Sequence, residues 1–187
     1  RSPLDPALHD DLTETLRPIA REIGRRGAFL QLDEPILSQG MRDYGPALRR
    51  LDLIASELSR ERVSLHVCGG LSRTRTLDAL FRLECISTLS LAFAGRVEKE
   101  NRSLLESRTW EEREMLLGAG CIDVQVSQVK DIMDPMAVAA LLQEVTSRIG
   151  SERISFVLPD CGMRATPRDL IPTLLGNLRS GFEEAFQ

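Results

Sequence analysis

The hydrophobic and polar positions of this chain follow two alternating periods, which predict a repeated βα pattern. Stretches with apolar residues three and four apart, the spacing of one helix face, are separated by short continuous apolar runs typical of buried strands. The predicted helices lie near residues 6–26, 45–58, 76–83, 98–105, 135–149 and from 166 onward. The predicted strands are residues 28–33, 63–68, 88–93, 122–126 and 154–158.

Several predicted helices begin with a proline in the first turn, where a missing N–H costs nothing. Asp5 and Asp134 precede such prolines as candidate N-caps. The pairs Gly45-Pro46 and Thr166-Pro167 are predicted to begin two further helices. Pro18 is expected to kink the first helix. The apolar stripe of that helix consists of Leu8, Leu12, Leu16, Ile19 and Ile23.

Strict alternation of strand and helix indicates a parallel sheet with helices outside it, and so an α/β fold. Five strands can form an open doubly wound sheet or part of an eight-stranded barrel. The polar residues favour the barrel, because they lie at or near the C-terminal ends of four strands, as a barrel rim requires. These rim residues are Asp33-Glu34, His66 with Cys68, Asp123 with Gln125, and Asp160-Cys161. The prediction is a single domain, residues 1–187, of TIM-barrel type with about five βα units.

Composition and charge narrow the class of function. Hydrophobic residues make up 42% of the chain and charged residues 28%, and the net charge is -4. These values describe an ordinary globular domain. They argue against a nucleic-acid partner, which requires clustered basic residues. No apolar stretch reaches the length of a membrane helix, and no signal peptide is recognised, so no membrane association and a cytoplasmic location are expected.

His66, Cys68 and Cys161 form a candidate zinc site. His66 and Cys68 are two residues apart at the end of a predicted strand, so their side chains face the same side. Cys161 follows another strand in a Pro-Asp-Cys-Gly turn. Zinc binds imidazole and thiolate, and three protein ligands leave one position for a substrate. The alternative is an ordinary buried histidine and thiol. Cys85 and Cys121 lie in apolar surroundings and are predicted to be buried thiols rather than ligands.

The motifs at the strand ends resemble the C-terminal catalytic barrel of cobalamin-independent methionine synthase. The likeness is closest to the short core members, within the methionine synthase/uroporphyrinogen decarboxylase-like superfamily. The segments that carry the resemblance run in the family's order across nearly the whole chain. They are Gln31-Leu32-Asp33-Glu34-Pro35-Ile36-Leu37, His66-Val67-Cys68-Gly69-Gly70, Leu89-Ser90-Leu91-Ala92-Phe93-Ala94, Gly118-Ala119-Gly120-Cys121-Ile122-Asp123-Val124 and Pro159-Asp160-Cys161-Gly162-Met163.

The resemblance implies a zinc enzyme that binds homocysteine as its thiolate and transfers a methyl group to the sulfur, which forms methionine. It implies His66, Cys68 and Cys161 as zinc ligands. It also implies Asp33 as the acidic residue that holds the amino group of homocysteine, with its neighbour Glu34 as a further substrate-binding candidate.

Two positions depart from the family pattern. The family's fourth zinc ligand is a glutamate at the position of Ala92, which cannot bind a metal. A water or the substrate sulfur is the expected replacement, and Glu84 and Glu98 are the other carboxylates considered. The long folate-using enzymes carry a histidine that acts as a general acid where this chain has Gln125. This change favours a methylated corrinoid protein over methyltetrahydrofolate as the methyl donor.

Other interpretations stay open at this point. Asp123 is a candidate catalytic residue or a structural one that orients a loop or a ligand histidine. Asp160 is a candidate substrate-binding residue with the same structural alternative. A related zinc thiol-alkyl transferase would hold a sulfonate thiol such as coenzyme M with a basic residue, for which Arg164 is available. A non-catalytic or partial subunit is also considered. Five βα units leave open sheet edges, so a homo-oligomer or a partner chain that supplies strands is expected.

Overall fold

The computed structural model describes residues 5–71 and 75–186, and in this part strands alternate with helices as predicted. The strands are β1 (Leu30–Asp33), β2 (Val63–Val67), β3 (Thr88–Ala92), β4 (Leu116–Gly120) and β5 (Ile154–Leu158). The α-helices are α1 (Pro6–Arg25), α2 (Gly45–Ala55), α3 (Thr76–Leu80), α4 (Ser107–Glu112), α5 (Pro135–Ile149) and α6 (Ile171–Ala185). Short 3-10 helices lie in the loops, among them Pro35–Gln39 and Glu98–Leu104.

The five strands form one parallel sheet in which the strand order follows the chain, β1-β2-β3-β4-β5. A doubly wound sheet reverses its order at a switch point. No reversal occurs among the described strands, and sequential order is the arrangement of a βα barrel. The predicted α/β fold of TIM-barrel type is therefore confirmed, with five of the eight strands of a full barrel.

The middle of the sheet is buried on both faces. Every residue of β2 and β3 is buried, as expected for parallel strands covered by helices. On one side of this core, Trp110 of α4 is fully buried, and its ring meets Phe81 edge-on with ring centroids 5.1 Å apart. Trp110 is the only tryptophan in the chain, so its fluorescence reports on the packing of this region.

Three helices begin where predicted, and two of them begin at a predicted N-cap. Asp5 accepts a hydrogen bond from the backbone of Ala7 at the start of α1. Asp134 accepts one from the backbone of Ala137 at the start of α5. Helix α2 begins at Gly45, as predicted. An aspartate begins α1 and α5 because its side-chain oxygen accepts a hydrogen bond from one of the otherwise unpaired N–H groups of the first turn.

The fourth strand lies earlier than predicted, at Leu116–Gly120 instead of residues 122–126. Two glycines make this segment look like a turn by local propensity. Packing requires both of them, because a methyl group at Gly118 would overlap the ring of Phe156 in β5, and one at Gly120 would lie 2.8 Å from the Leu91 carbonyl oxygen of β3. Packing between strands therefore overrides local propensity here.

Two helical predictions also need correction. The last helix begins at Ile171 rather than at Thr166, because the Thr166 hydroxyl donates a hydrogen bond to the Val124 carbonyl, 2.8 Å away, instead of capping a helix. Residues 98–105 form the tighter 3-10 helix Glu98–Leu104. Helix α4 was not predicted, because six residues are too few to show a helical period.

The predicted apolar stripe of α1 is largely exposed. Leu12, Leu16 and Ile19 face solvent, and the buried residues of the helix are Thr13 and Ala20. The helix continues through Pro18. A second apolar surface lies at the far edge of the sheet, where a groove of about 500 Å³ runs between β5 and α6. Since β1 and β5 each pair on one side only among the described residues, these surfaces lie where further strands and helices of a barrel would pack.

No helix of the described part combines the length and the apolar character that crossing a membrane requires.

Candidate metal centre

The structure brings His66, Cys68 and Cys161 together, with one ligand atom of each within 4.8 Å of the others. His66 lies in β2 and Cys68 follows its end, whereas Cys161 follows β5. Three strand spacings separate β2 from β5, which amounts to roughly 14 Å in a flat sheet. Curvature of the sheet and the loop after β5 must together close this gap. A barrel-like arrangement therefore explains how distant residues meet.

His66 presents one free ring nitrogen to this group. Its Nδ1 lies 3.0 Å from the Ser90 hydroxyl of the neighbouring strand β3, and the ring is 7% exposed. Its Nε2 is buried without a hydrogen-bond partner in the described residues. Burial lowers the pKa of His66, although the charge of Asp33 and the hydrogen bond to Ser90 act in the opposite direction. The neutral imidazole is therefore favoured. A buried, unpartnered, neutral nitrogen is what a divalent metal ion requires from histidine.

Cys68 lies at the point where the chain turns away from β2. The turn requires Gly69, whose φ of +100° is unfavourable for other residues and whose missing side chain leaves room for the Ser38 hydroxyl. Burial raises the pKa of the Cys68 thiol to about 11, and the nearby thiol of Cys161 adds to the effect. A thiol whose ionisation is disfavoured in this way is stabilised as a thiolate when it binds a cation.

Cys161 is exposed, but the residue before it is anchored. Asp160 is buried, and its carboxylate accepts four hydrogen bonds of 2.6–3.2 Å from the backbone N–H groups of Phe93, Ala94 and Gly95. Burial raises the pKa of Asp160 to about 7, although these bonds favour the ionised form. These four hydrogen bonds, the Asp160 clamp, connect the loop that carries Cys161 to the end of β3. They therefore hold Cys161 over the strand ends.

Asn101 is a second buried connection, and sequence reasoning did not identify it. Its side-chain amide donates to the carbonyls of Gly69, at 3.0 Å, and Ala92, at 2.9 Å. Its side-chain oxygen accepts from the backbone N–H of Leu71 at 2.8 Å. Asn101 therefore fixes the Cys68 turn against the end of β3. No local pattern signals this role, because its three partners are backbone groups 9, 30 and 32 residues away in the chain.

The predicted substrate-binding residues Asp33 and Glu34 lie at the end of β1, beside the metal-ligand group but not in it. Asp33 is exposed and is in register with His66 on the adjacent strand. Glu34 accepts a hydrogen bond from the backbone of Ile36, 3.2 Å away, and so caps the 3-10 helix Pro35–Gln39. The position of Asp33 suits contact with a molecule bound at His66, whereas Glu34 has a local structural partner.

The structure does not bring Asp123 into the group of three. Because β4 ends at Gly120, Asp123 lies in the following loop, where its carboxylate accepts a hydrogen bond from the backbone of Gln125 at 2.8 Å. Gln125 is exposed, and Ala92 is buried at the end of β3. Catalysis by Asp123 and substrate binding by Asp160 stay predictions; the contacts seen for both residues are structural.

The other two cysteines are separate from the group. Cys121 is fully buried, as predicted, and burial raises its pKa. Cys85 is half-buried near the N-terminal end of β3, whereas the metal-ligand group lies at the C-terminal ends of the strands.

Comparison with known proteins gives a consistent result. The family described as the catalytic domain of cobalamin-independent synthase matches residues 12–182. The methionine synthase of Methanothermobacter thermautotrophicus is 34% identical over 179 residues, which cover 93% of this chain and 54% of the relative. The methionine synthase of Methanocaldococcus jannaschii is 29% identical over 182 residues, again 93% and 54%. The chain thus spans about half the length of the curated relatives it matches.

A solved structure supports the fold. The B12-independent methionine synthase from Shewanella sp. W3-18-1, in complex with selenomethionine, superposes with a TM-score of 0.71. The match covers 92% of this chain and 52% of that one, at 18% sequence identity. At this level of identity the likeness concerns the fold.

Proposed function

The chain belongs to the family of cobalamin-independent synthase catalytic domains, and on that basis we propose that it is part of a zinc-dependent methyltransferase that forms methionine from homocysteine. The observation that supports the proposal most directly is the convergence of His66, Cys68 and Cys161 at the C-terminal strand ends. Relatives named methionine synthase, matched across most of the chain, point to the same reaction.

The donor set fits zinc. His66 offers Nε2, and the two cysteines offer thiolates, which are the ligand types that zinc prefers. A zinc ion held by these residues would supply one property, the ionisation of a substrate thiol bound to it, whose sulfur would then be a nucleophile at neutral pH. Methyl transfer would form a bond from this sulfur to the methyl carbon and break the bond from that carbon to the donor, which would keep the electron pair. The proton of the thiol passes to solvent.

Asp33 is the residue proposed to hold the substrate. It is exposed and adjacent to His66 across the sheet. An ammonium group on a substrate whose sulfur lies at the metal would find this carboxylate within its reach, and the pairing of opposite charges would orient the sulfur. Glu34 contributes less in this proposal, because its carboxylate already caps a helix.

A methylated corrinoid protein is the proposed methyl donor. If methyltetrahydrofolate were the donor, its ring nitrogen would have to gain a proton as the methyl group leaves. Gln125 cannot supply this proton, because its amide is not acidic. A methylcorrinoid needs no proton, since the cobalt leaves with the electron pair of its bond to carbon.

An assay of methyl transfer from methylcobalamin to homocysteine tests the proposal, with zinc content measured on the same samples. The zinc-loaded chain is expected to form methionine, and Cys161→Ser is expected to lose both bound zinc and activity. Cys85→Ser is the matched control, because Cys85 lies near the N-terminal end of β3, away from the metal-ligand group. This variant should retain bound zinc and activity. Turnover and zinc content indifferent to Cys161→Ser would refute the assignment.

A second candidate is a thiol-alkyl transferase for a sulfonate thiol. Arg164 is exposed three residues after Cys161, where a basic side chain would suit a sulfonate. Assays with coenzyme M in place of homocysteine distinguish the two functions. Loss of activity in Asp33→Ala supports the amino-acid thiol, and loss in Arg164→Ala supports the sulfonate thiol.

The whole enzyme in this proposal contains strands beyond the five seen here. The one-sided pairing of β1 and β5, and the exposed apolar groove beside α6, support completion by a second copy, by a partner chain or by further residues of the same protein. Sedimentation of the 187-residue chain separates these cases, because only association of copies raises its mass without an added partner.

A further inference from the structure

The metal-ligand group supplies three atoms, and zinc takes four ligands. Ala92 at the end of β3 cannot provide the fourth. Among the described residues around the group, one carboxylate has no assigned role. It belongs to Glu98, the first residue of the 3-10 helix Glu98–Leu104.

The helix aims Glu98 toward the metal-ligand group. A 3-10 helix has three residues per turn, so side chains at i and i+3 lie directly above one another. Glu98 and Asn101 are three apart and therefore share a face. Asn101 is buried and donates to the carbonyls of Gly69 and Ala92, next to the Cys68 turn. The face that carries Glu98 is thus fixed against the loop that carries Cys68.

Contacts of the turn that precedes the 3-10 helix locate the Glu98 carboxylate more precisely. A methyl group at Gly95 would overlap the Glu98 carboxylate and come within 3.4 Å of Oδ2 of Asp160. A methyl group at Gly70, two residues after Cys68, would come within 3.0 Å of Val97. The glycines at 95 and 70 therefore allow this turn to lie over the Cys68 loop, with the Glu98 carboxylate near Asp160.

The Glu98 carboxylate is also free to bind a cation. It is half-buried and makes no hydrogen bond or ion pair with residues of the described part. A half-buried carboxylate without a partner in the described residues can take a divalent cation as its partner, and zinc accepts carboxylate oxygens as ligands.

We propose that Glu98 provides the fourth protein ligand of the metal ion, in place of a carboxylate on the strand end at Ala92. In the structure its oxygens lie outside the group of three. Ligation therefore requires the flexible side chain to turn from Gly95 toward the ion. The inference rests on the proposed zinc site and names one more of its ligands.

Metal binding by variants at this helix tests the proposal without any assay of turnover. Competition with a chromophoric chelator gives the zinc affinity of the wild-type chain, Glu98→Gln and Glu100→Gln. Glu100 is exposed on the same helix and serves as the matched control for charge. Glu98→Gln is expected to weaken zinc binding at least about 10-fold, because loss even of an outer carboxylate has effects of this size. Glu100→Gln is expected to leave it unchanged.

Cobalt substitution then separates ligation from a general effect of charge. In Co(II)-loaded Glu98→Cys, the sulfur-to-cobalt absorption should rise from that of two thiolates to that of three, whereas Glu100→Cys should show no rise. If wild type binds zinc, but Glu98→Gln matches it in affinity and Glu98→Cys adds no absorption, the assignment of Glu98 is wrong and the three-ligand site stands. If the wild-type chain binds no zinc, the proposed function fails as well.

Discussion

The Ser90 hydroxyl lies 3.0 Å from Nδ1 of His66, on the strand next to it, and both residues are buried. This bond decides which ring nitrogen is available. When Ser90 accepts the Nδ1 proton, Nε2 keeps its lone pair, and it is buried with no hydrogen-bond partner in the described residues. The geometry of the candidate metal centre therefore depends on a serine that touches no metal.

Replacement of Ser90 should weaken metal binding without unfolding the protein. Ser90→Ala leaves the imidazole free to rotate and to change tautomer, and partners of this kind are worth about 10–100-fold in metal affinity. Chelator competition measures the loss, and NMR of the imidazole nitrogens reports the tautomer. Ser87→Ala, at the opposite end of β3, is the control. Equal affinities for the two variants would contradict the role given to Ser90.

The Asp160 clamp should contribute to stability as well as to the site. In the wild-type chain, backbone N–H groups donate hydrogen bonds to both carboxylate oxygens of Asp160. Asp160→Asn replaces one of these oxygens with an NH₂ group, which cannot accept such a bond. Leaving such buried donors unpaired costs about 1–3 kcal/mol of unfolding free energy. Urea unfolding followed by Trp110 fluorescence measures it. Asp123→Asn is the comparison, because Asp123 is only half-buried and accepts a single backbone bond, and its effect should be smaller.

Two glycines are expected to respond in opposite directions to the same change. Gly118→Ala should destabilise the protein by about 1–3 kcal/mol, because the new methyl group overlaps the ring of Phe156 and overpacking has costs of this size. Gly176→Ala, inside α6 with nothing within 4 Å of its Cβ position, should stabilise it by about 0.5–1 kcal/mol. Thermal unfolding of both variants checks the pair. A neutral Gly118→Ala would show that β4 and β5 are not packed as described.

One ion-pair cluster should give a pH-dependent contribution to stability. Glu57, just after α2, binds Arg17 at 2.9 Å and Arg21 at 2.8 Å, both on α1. Arg21 and then Arg17 lower the pKa of Glu57 below its ordinary value of 4.5, although partial burial opposes them. A carboxylate with a lowered pKa in the folded state stabilises it above the unfolded value, and this contribution disappears as the pH falls through the folded value.

Comparison of wild type with Glu57→Gln tests this window. The difference in melting temperature should be full at pH 7 and should vanish as the pH falls below about 4.5. Exposed Glu61→Gln should show no such dependence. A difference between wild type and Glu57→Gln that stays constant with pH would show that packing, rather than charge, links α1 to the end of α2.

The chain's local pattern was sufficient to predict the βα alternation and to place the candidate metal ligands at strand ends. Residues two apart at a strand end face the same side, so His66 and Cys68 could be paired from the sequence. Both the strand before Cys161 and the helix α5 showed clear apolar patterns. These features depend on neighbours within a few residues, which is the range that periodicity and capping residues encode.

The tertiary structure alone decided the position of β4, the exposure of the α1 stripe, and the clamps made by Asp160 and Asn101. Asp160 binds backbone groups 65–67 residues away in the chain. Such partners are brought close only when the strands assemble in order, and backbone donors are the same for every residue type. A sequence therefore records which side chains point toward one end of the sheet, whereas the curvature and packing of the sheet determine which of them meet.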